Sequence, residues 1–369
     1  MTTRKEIGSL LPNELLALRS ALLKYQTRSG AGGYVDLAGF HGIPRGLCQH
    51  DNPLFLPWHR IYISTFEKAL QAIDSTVSLP YWDWTSAESL QHGMPPAYTD
   101  ATFVDTDGQT KRNPLLSGPR EDGATLTVRH TNKTTDLVIS AAGSVPLAQK
   151  QPNFQSFSPV IAGPHISIHA YVGGDGGGDM YSFARSAFDP MFWSHHAMVD
   201  FQWAQWQINH PGAPVGSPTT AFPEFNNIRV MDVLDTTNAL LNYTYAGLSK
   251  DIGNIRLTPR KVLRVNDILM GEGSFTVDVL LSWKGMDKPV HAGTFGIVGM
   301  GMKMDHGHSH SPMGHKPILY QQNIDVTDVL DKNSPPTTDI KVELVGVNMK
   351  GEPVPQKDLH IGKIEFIYI

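Results

Sequence analysis

The sequence predicts a mainly α domain, built as an antiparallel helix-bundle core with long loops, followed by an antiparallel β-sandwich. Three observations carry this expectation. Several segments place apolar residues at helical spacing behind recognisable start signals. After about residue 225 they give way to short alternating runs divided by turn residues. At 369 residues with 40% hydrophobic content, the chain is long enough for two domains with substantial cores. The expected divisions are 1–230 for the helical domain, 231–272 for a linker and 273–369 for the β-sandwich.

Taken in order, residues 12–25 read as an amphipathic helix that starts at Pro12-Asn13 and continues through Leu15 and Leu16 to Leu18, Leu22 and Leu23. Residues 30–53 are rich in Gly, Pro and Asp and read as loop. Pro57 opens a second helix, with Trp58, Ile61, Tyr62, Thr65, Phe66 and Ala69 at i, i+3, i+4 spacing. An aromatic loop at Tyr81-Trp82-Asp83-Trp84 leads into a long irregular region reaching about residue 153, with hairpin-like material at Ala124–Val128. Gly163–His169 is helix-like. The Gly-Asp run at 173–179 reads as a plain loop, its spacing being poor for calcium. Asp189 then caps a third helix with Pro190 in its first position. Strands are expected at 275–281, 340–345 and 363–368.

Composition narrows the chemistry. A formal charge of −5 with no basic stretch argues against nucleic acid or an anionic membrane surface as the main partner. No apolar run approaches the roughly 18 residues of a membrane span. No secretory leader is visible at the N-terminus, so a cytoplasmic protein or a processed mature form is expected. Oligomeric state is left open.

Sixteen histidines stand against one cysteine, Cys48, which points any metal chemistry to imidazole. His165 and His169 lie four residues apart and so project from one helix face. His195 and His196 sit inside the apolar run of the third helix, and His41, His50 and His59 form an earlier group. Buried imidazoles need partners, and so many in apolar settings argue for metal. Nitrogen donors without carboxylate favour copper over magnesium or calcium, and the lack of cysteine clusters disfavours structural zinc. Two triads suggest two ions facing one another, each with an open position.

The run His50-Asp51-Asn52-Pro53-Leu54-Phe55-Leu56-Pro57-Trp58-His59-Arg60, with Glu67 following, resembles the first copper signature of the type 3 copper proteins: tyrosinases, catechol oxidases and hemocyanins. Asp189, Pro190, Phe192, His196 and Asp200 resemble the second. The resemblance implies two copper ions, one on His41, His50 and His59, the other on His165, His169 and His196, with His195 a neighbour and dioxygen as co-substrate. It implies a thioether between Cys48 and His50, where composition alone reads a small buried hydrophobe. Asp200 reads either as a carboxylate orienting a ligand imidazole or as a helix-surface acid, and Phe183 either as an aromatic gate or as a packing residue. The middle and C-terminal segments Val230–Asp235, Asn242–Tyr245, Ala292–Phe295, Asp325–Leu330 and Leu359–Glu365 resemble plant-type polyphenol oxidases, in some of whose relatives the terminal module covers the active site until removed.

The sequence departs from the family where phenol hydroxylation is linked to a carboxylate before, and an Asn after, the first ligand of the second triad. Here Ile161 (or Ser156, on another alignment) and Ile166 hold those positions, and Ala170 follows His169. None of the three aliphatic residues can hold or polarise a water. The expected activity is therefore oxidation of o-diphenols or o-aminophenols, small phenolic substrates, to quinones with reduction of O2 to water. Full tyrosinase activity is the alternative. A reversible dioxygen carrier is the rival of another class, disfavoured by a single unit in a short chain, and a zinc protein is a third. Finally, Met300, Met302, Met304, His306, His308, His310, Met313 and His315 lie in one Gly-rich segment whose soft thioethers and imidazoles suit Cu(I), either as a copper-loading loop or as a solvated one.

Overall fold

The start signals read from the sequence operate where a proline stands in a helix's first turn. The structure, a computed structural model, describes residues 1–50, 52–174, 176–249, 260–269, 273–299, 319–335 and 339–368. Strand β1 (Thr2–Arg4) precedes α1 (Pro12–Gln26), whose first turn is closed by the Glu14 carboxylate accepting from the Leu11 amide at 2.9 Å. After the short α2 (Tyr34–Ala38), helix α3 (Phe55–Gln71) starts two residues before Pro57 and buries thirteen of its residues. Helices α4 (Ala87–His92) and α5 (Asp136–Gln149) flank a small hairpin of β2 (Thr102–Val104) and β3 (Thr110–Arg112). Then come α6 (Phe154–Gly173) and α7 (Pro190–Asn209), the latter capped by Asp189 accepting from the Met191 amide at 2.9 Å.

Helices α2, α4 and α5 fall in stretches read as irregular, and α6 begins nine residues before the helix-like segment read at Gly163–His169. Their sequences hide them for a physical reason. Helix α5 carries Gly143 and Pro146, and α6 carries Pro159 and Pro164, all helix-breaking by propensity. The uncovered stripe of α5 runs through the apolar Ile139, Ala142, Gly143 and Pro146, and residues 163–173 of α6 are all buried, so no polar face marks a period. The hairpin-like material at 124–128 forms only an isolated bridge between Pro119 and Leu126.

Beyond α7 a two-residue pairing joins β4 (Ala221–Phe222) to β5 (Ile228–Arg229), and β6 (Tyr243–Tyr245) runs parallel to β1. The C-terminal part forms two antiparallel sheets. It contains β7 (Lys261–Ile268), β8 (Phe275–Ser282), β9 (Val290–Ile297), β10 (Tyr320–Asp325), helix α8 (Thr327–Asn333), β11 (Lys341–Asn348), β12 (Pro353–Val354) and β13 (Ile364–Tyr368). One sheet has the order β10-β7-β13, the other β12-β11-β8-β9. Strand β7 lies inside the stretch read as linker and is the centre of its sheet. Alternate residues Phe275, Val277, Val279 and Leu281 of β8 are buried, the period-two signature of a sheet with one covered face. No described helix is long and apolar enough to cross a membrane.

A buried ionic knot ties the chain ends of the helical part together. Arg4 on β1 donates to Glu67 of α3 at 2.7 and 3.0 Å, and Arg60 of α3 donates to Asp200 of α7 at 2.5 Å. Tyr243 and Tyr245 of β6 donate to the same Asp200 carboxylate at 2.5 and 2.7 Å. Two cations balance two anions, which is what burying any of them requires.

Candidate metal centre

Two histidine groups face each other across the α3–α7 contact. In the first, His41 follows α2, His50 lies in the loop before α3, and His59 sits in the second turn of α3. His59 Nδ1 donates to the Phe55 carbonyl at 2.8 Å, and His41 Nδ1 to the Phe183 carbonyl at 3.2 Å. A carbonyl can only accept, so each neutral ring keeps its proton on Nδ1 and turns a bare Nε2 lone pair inward. His41 Nε2 is buried with no hydrogen-bond partner among the described residues. His50 is partly exposed, its ring edge-on to His41 and His59, with centroids 5.2 and 4.9 Å away. Cys48 Sγ lies 2.7 Å from His50 Nδ1 and 3.5 Å from His59 Nε2.

In the second group, His165 and His169 project from adjacent turns of α6, and His196 comes from α7. The three Nε2 atoms converge: His165 to His169 at 3.1 Å, and His196 to each of the other two at 3.3 Å. His169 donates its Nδ1 proton to the Met180 carbonyl at 2.8 Å, so its Nε2 offers only a lone pair. Three nitrogens held about 2.0 Å from one ion at tetrahedral angles would stand about 3.3 Å apart. The second group has that spacing. The two groups meet through His59 and His196, whose rings stack with centroids 4.4 Å apart and planes 10° from parallel.

Burial sets the charge state. It pushes His59 down to about 3 and His169 to about 4, and it holds His41, His50, His165, His195 and His196 well below the ordinary imidazole value. These rings are therefore neutral donors at neutral pH, as metal ligation requires. Each group gathers four donor side chains whose ligand atoms lie within 4.8 Å of one another, and neither contains a carboxylate among the described residues. Neutral imidazoles beside one thiol form a set suited to copper.

The surroundings divide the remaining expectations. Phe183 lies against His41 and His50, with ring centroids 5.0 and 5.1 Å away, at the partly exposed side of the first group. His195 stacks on His165 at 5.2 Å and donates Nε2–H to the His165 carbonyl at 3.1 Å. Among the described residues Asp200 bonds to no histidine; as a correction, it is buried and serves Arg60, Arg4, Tyr243 and Tyr245, because buried guanidinium groups demand an anion more strongly than a neutral imidazole does. Ala170 faces the β module instead of the metal pocket: a Cβ added to Gly296 of β9 would stand 2.4 Å from the Ala170 Cβ and 3.4 Å from the Ile166 carbonyl. Ile161 is fully buried, whereas Ser156 is half-buried and spent on the cap of α6 with Asn153. The segment Met300–His315 lies outside the described residues.

Two aromatic neighbours escape a reading that looks for ligands alone. Phe55 packs on His59 and His165 with ring centroids 4.9 Å away in each case, and Phe192 packs on His196 at 4.0 Å. Each stands four residues before a histidine of its own helix, so the i, i+4 rule places both beside the pocket.

Against known proteins, the model of the common central domain of tyrosinase matches residues 31–209. The tyrosinase of Streptomyces antibioticus is 30% identical over 275 residues, covering 66% of this chain and 97% of that protein. A hemocyanin of Enteroctopus dofleini (G-type, units Oda to Odg) is 34% identical over 222 residues, which is 56% of this chain but only 8% of that much longer protein. The solved structure of deoxygenated hemocyanin from Rapana thomasiana superposes with a TM-score of 0.81 at 21% identity, over 100% of this chain and 98% of that one. The chain belongs to the tyrosinase family of type 3 copper proteins. Its two histidine groups fit the pair of copper ions that this family uses. Solved hemocyanin and tyrosinase structures alike cover 100% of this chain, its C-terminal part included, and that likeness concerns the fold.

Proposed function

We propose that this chain is an oxidase of o-diphenols, or of o-aminophenols, forming two molecules of quinone and two of water for each O2 consumed. His41, His50 and His59 hold one copper, and His165, His169 and His196 hold the other; His195 braces His165 from behind. The copper pair supplies the exchange of electrons between substrate and dioxygen when bound. The protein's part is orientation and dryness. The Phe55, Phe183 and Met180 carbonyls fix three of the rings, and Phe55, Phe192 and Phe183 exclude water around them.

The observation that carries this reading is an opening on one side. His50 and Cys48 are partly exposed while the other five proposed ligands are buried, so a flat ring can approach the first copper past Phe183. Hydroxylation of monophenols is disfavoured because no carboxylate among the described residues bonds to a histidine of either group. The short Cys48–His50 approach supports a thioether, formed with loss of the thiol hydrogen and one ring C–H as dioxygen takes two electrons. Reversible dioxygen carriage is the second reading, favoured by the 34% identity to a hemocyanin.

The test compares a catechol with its matched monophenol under air, with copper measured on the same sample. Turnover of the catechol alone, abolished by chelation, is the expected result. Reversible oxygenation without turnover would replace the oxidase reading with the carrier.

A further inference from the structure

Helix α6 carries half of the second histidine group, yet it is a poor helix by its own sequence. Pro159 and Pro164 remove two intrahelical hydrogen bonds, and Val160, Ile161, Ile166, Ile168 and Val172 are β-branched. Its conformation must come from what encloses it. On the side away from the pocket that enclosure is the β module. Edge strand β10 of one sheet and edge strand β9 of the other both lie on α6. The fit leaves no space: a Cβ on Gly163 would stand 2.2 Å from the Gln321 carbonyl oxygen of β10, and Gly296 of β9 meets Ala170 as closely as described above.

At the centre of this contact is Gln322, fully buried on β10. Its side-chain amide donates to the Gly163 carbonyl at 2.8 Å and to Ser167 Oγ at 3.1 Å. Those two groups bracket His165. We infer that Gln322 is a positioning residue for the second copper, clamping the turn of α6 that carries His165, so that the β module is a working part of that metal site. The inference rests on reading His165, His169 and His196 as copper ligands.

The test uses full-length, copper-loaded protein challenged with excess chelator, following released copper with time. In Gln322→Leu, half of the copper leaves at least tenfold faster than in wild type while the other half leaves at the wild-type rate. Ser167→Ala, which deletes one of the two contacts without enlarging any side chain, gives a smaller acceleration of the same half, and it carries the test should Gln322→Leu fail to fold. Unchanged release in both variants, or equal acceleration of both halves, overturns the inference. Fewer than two coppers per wild-type chain would instead overturn the ligand assignment beneath it.

Discussion

Replacing Asp200 by alanine isolates the electrostatic knot behind the site, and the structure allows the cost to be worked out. The carboxylate accepts from Arg60 at 2.5 Å, Tyr243 at 2.5 Å, Tyr245 at 2.7 Å and, more weakly, Arg4 at 3.5 Å. Burial alone would raise its pKa, but Arg60, Arg4 and the two tyrosine hydroxyls together hold it below the ordinary aspartate value. Stripping one partner from a buried ion pair costs about 3–5 kcal/mol. Here Arg4 keeps Glu67, so only Arg60 loses its counter-charge. Arg60 also keeps the Gln207 side chain at 2.8 Å and the Val233 and Leu234 carbonyls at 3.2 and 3.1 Å, which places the loss in the lower half, about 3–4 kcal/mol. An unfolding entropy of about 2.1 cal/mol/K per residue over 369 residues turns that into a fall of roughly 4–5 °C in Tm. The assay is denaturant and thermal unfolding of the copper-free protein, which removes metal linkage from the comparison. Asp200→Asn, keeping an acceptor oxygen but not the charge, is expected between wild type and Asp200→Ala. A loss below about 1 kcal/mol for Asp200→Ala would refute the reasoning, because it would mean that Arg60 needs no anion.

Three further outcomes are expected. His196→Asn lowers copper from two ions per chain to one by metal analysis, with unfolding of the copper-free form little changed. Phe183→Ala opens the exposed side of the first group, so KM for bulky catechols falls severalfold in steady-state assays while that for catechol itself moves less. Copper-free protein loses stability as pH falls below about 6.5: His59 and His169 stay neutral in the fold down to about 3 and about 4 but take up protons when unfolded, each contributing a slope of about 1.4 kcal/mol per pH unit until its folded value is reached. Unfolding midpoints measured from pH 7 to pH 4.5 check this, and a flat profile would contradict the burial of these rings.

How much of this was legible in the sequence depended on the kind of signal. Helices α1, α3 and α7 announce themselves through Pro12, Pro57 and the Asp189-Pro190 cap, because a proline in the first turn is a local feature. Helices α5 and α6 do not, since Pro146, Pro159 and Pro164 stand in their interiors and argue against a helix. The histidines stood out by spacing and by resemblance to known motifs. Asp200 was legible as a residue in a motif but not by its partners, for Arg4 lies 196 residues away in sequence and Tyr243 43 residues away. Only the fold brings those donors to it. Ala170 shows the same limit: its neighbour to a ligand is a sequence fact, its contact with Gly296 a tertiary one.

The two half-sites are assembled from different material, and that decides what can set the distance between the ions. The first is a loop and one helical turn, with ring orientation held by the carbonyls of Phe55 and Phe183. The second is two buried helices in which His165 and His196 make no Nδ1 hydrogen bond among the described residues, leaving packing from the β module and from His195 to orient them. Neither half contains a side chain shared with the other. One link is the crossing of α3 on α7, where His59 stacks on His196 and, one residue and one turn further along, Arg60 pairs with Asp200; another is the approach of His50 and Phe55 to His165. A hydrogen-bonded ion pair buried on both sides tolerates little sliding, because lengthening it exposes unpaired charge to a low dielectric. The α3–α7 crossing thus helps to set how far apart the two histidine groups stand, and Asp200 and Arg60 bear on that distance without being among the proposed ligands.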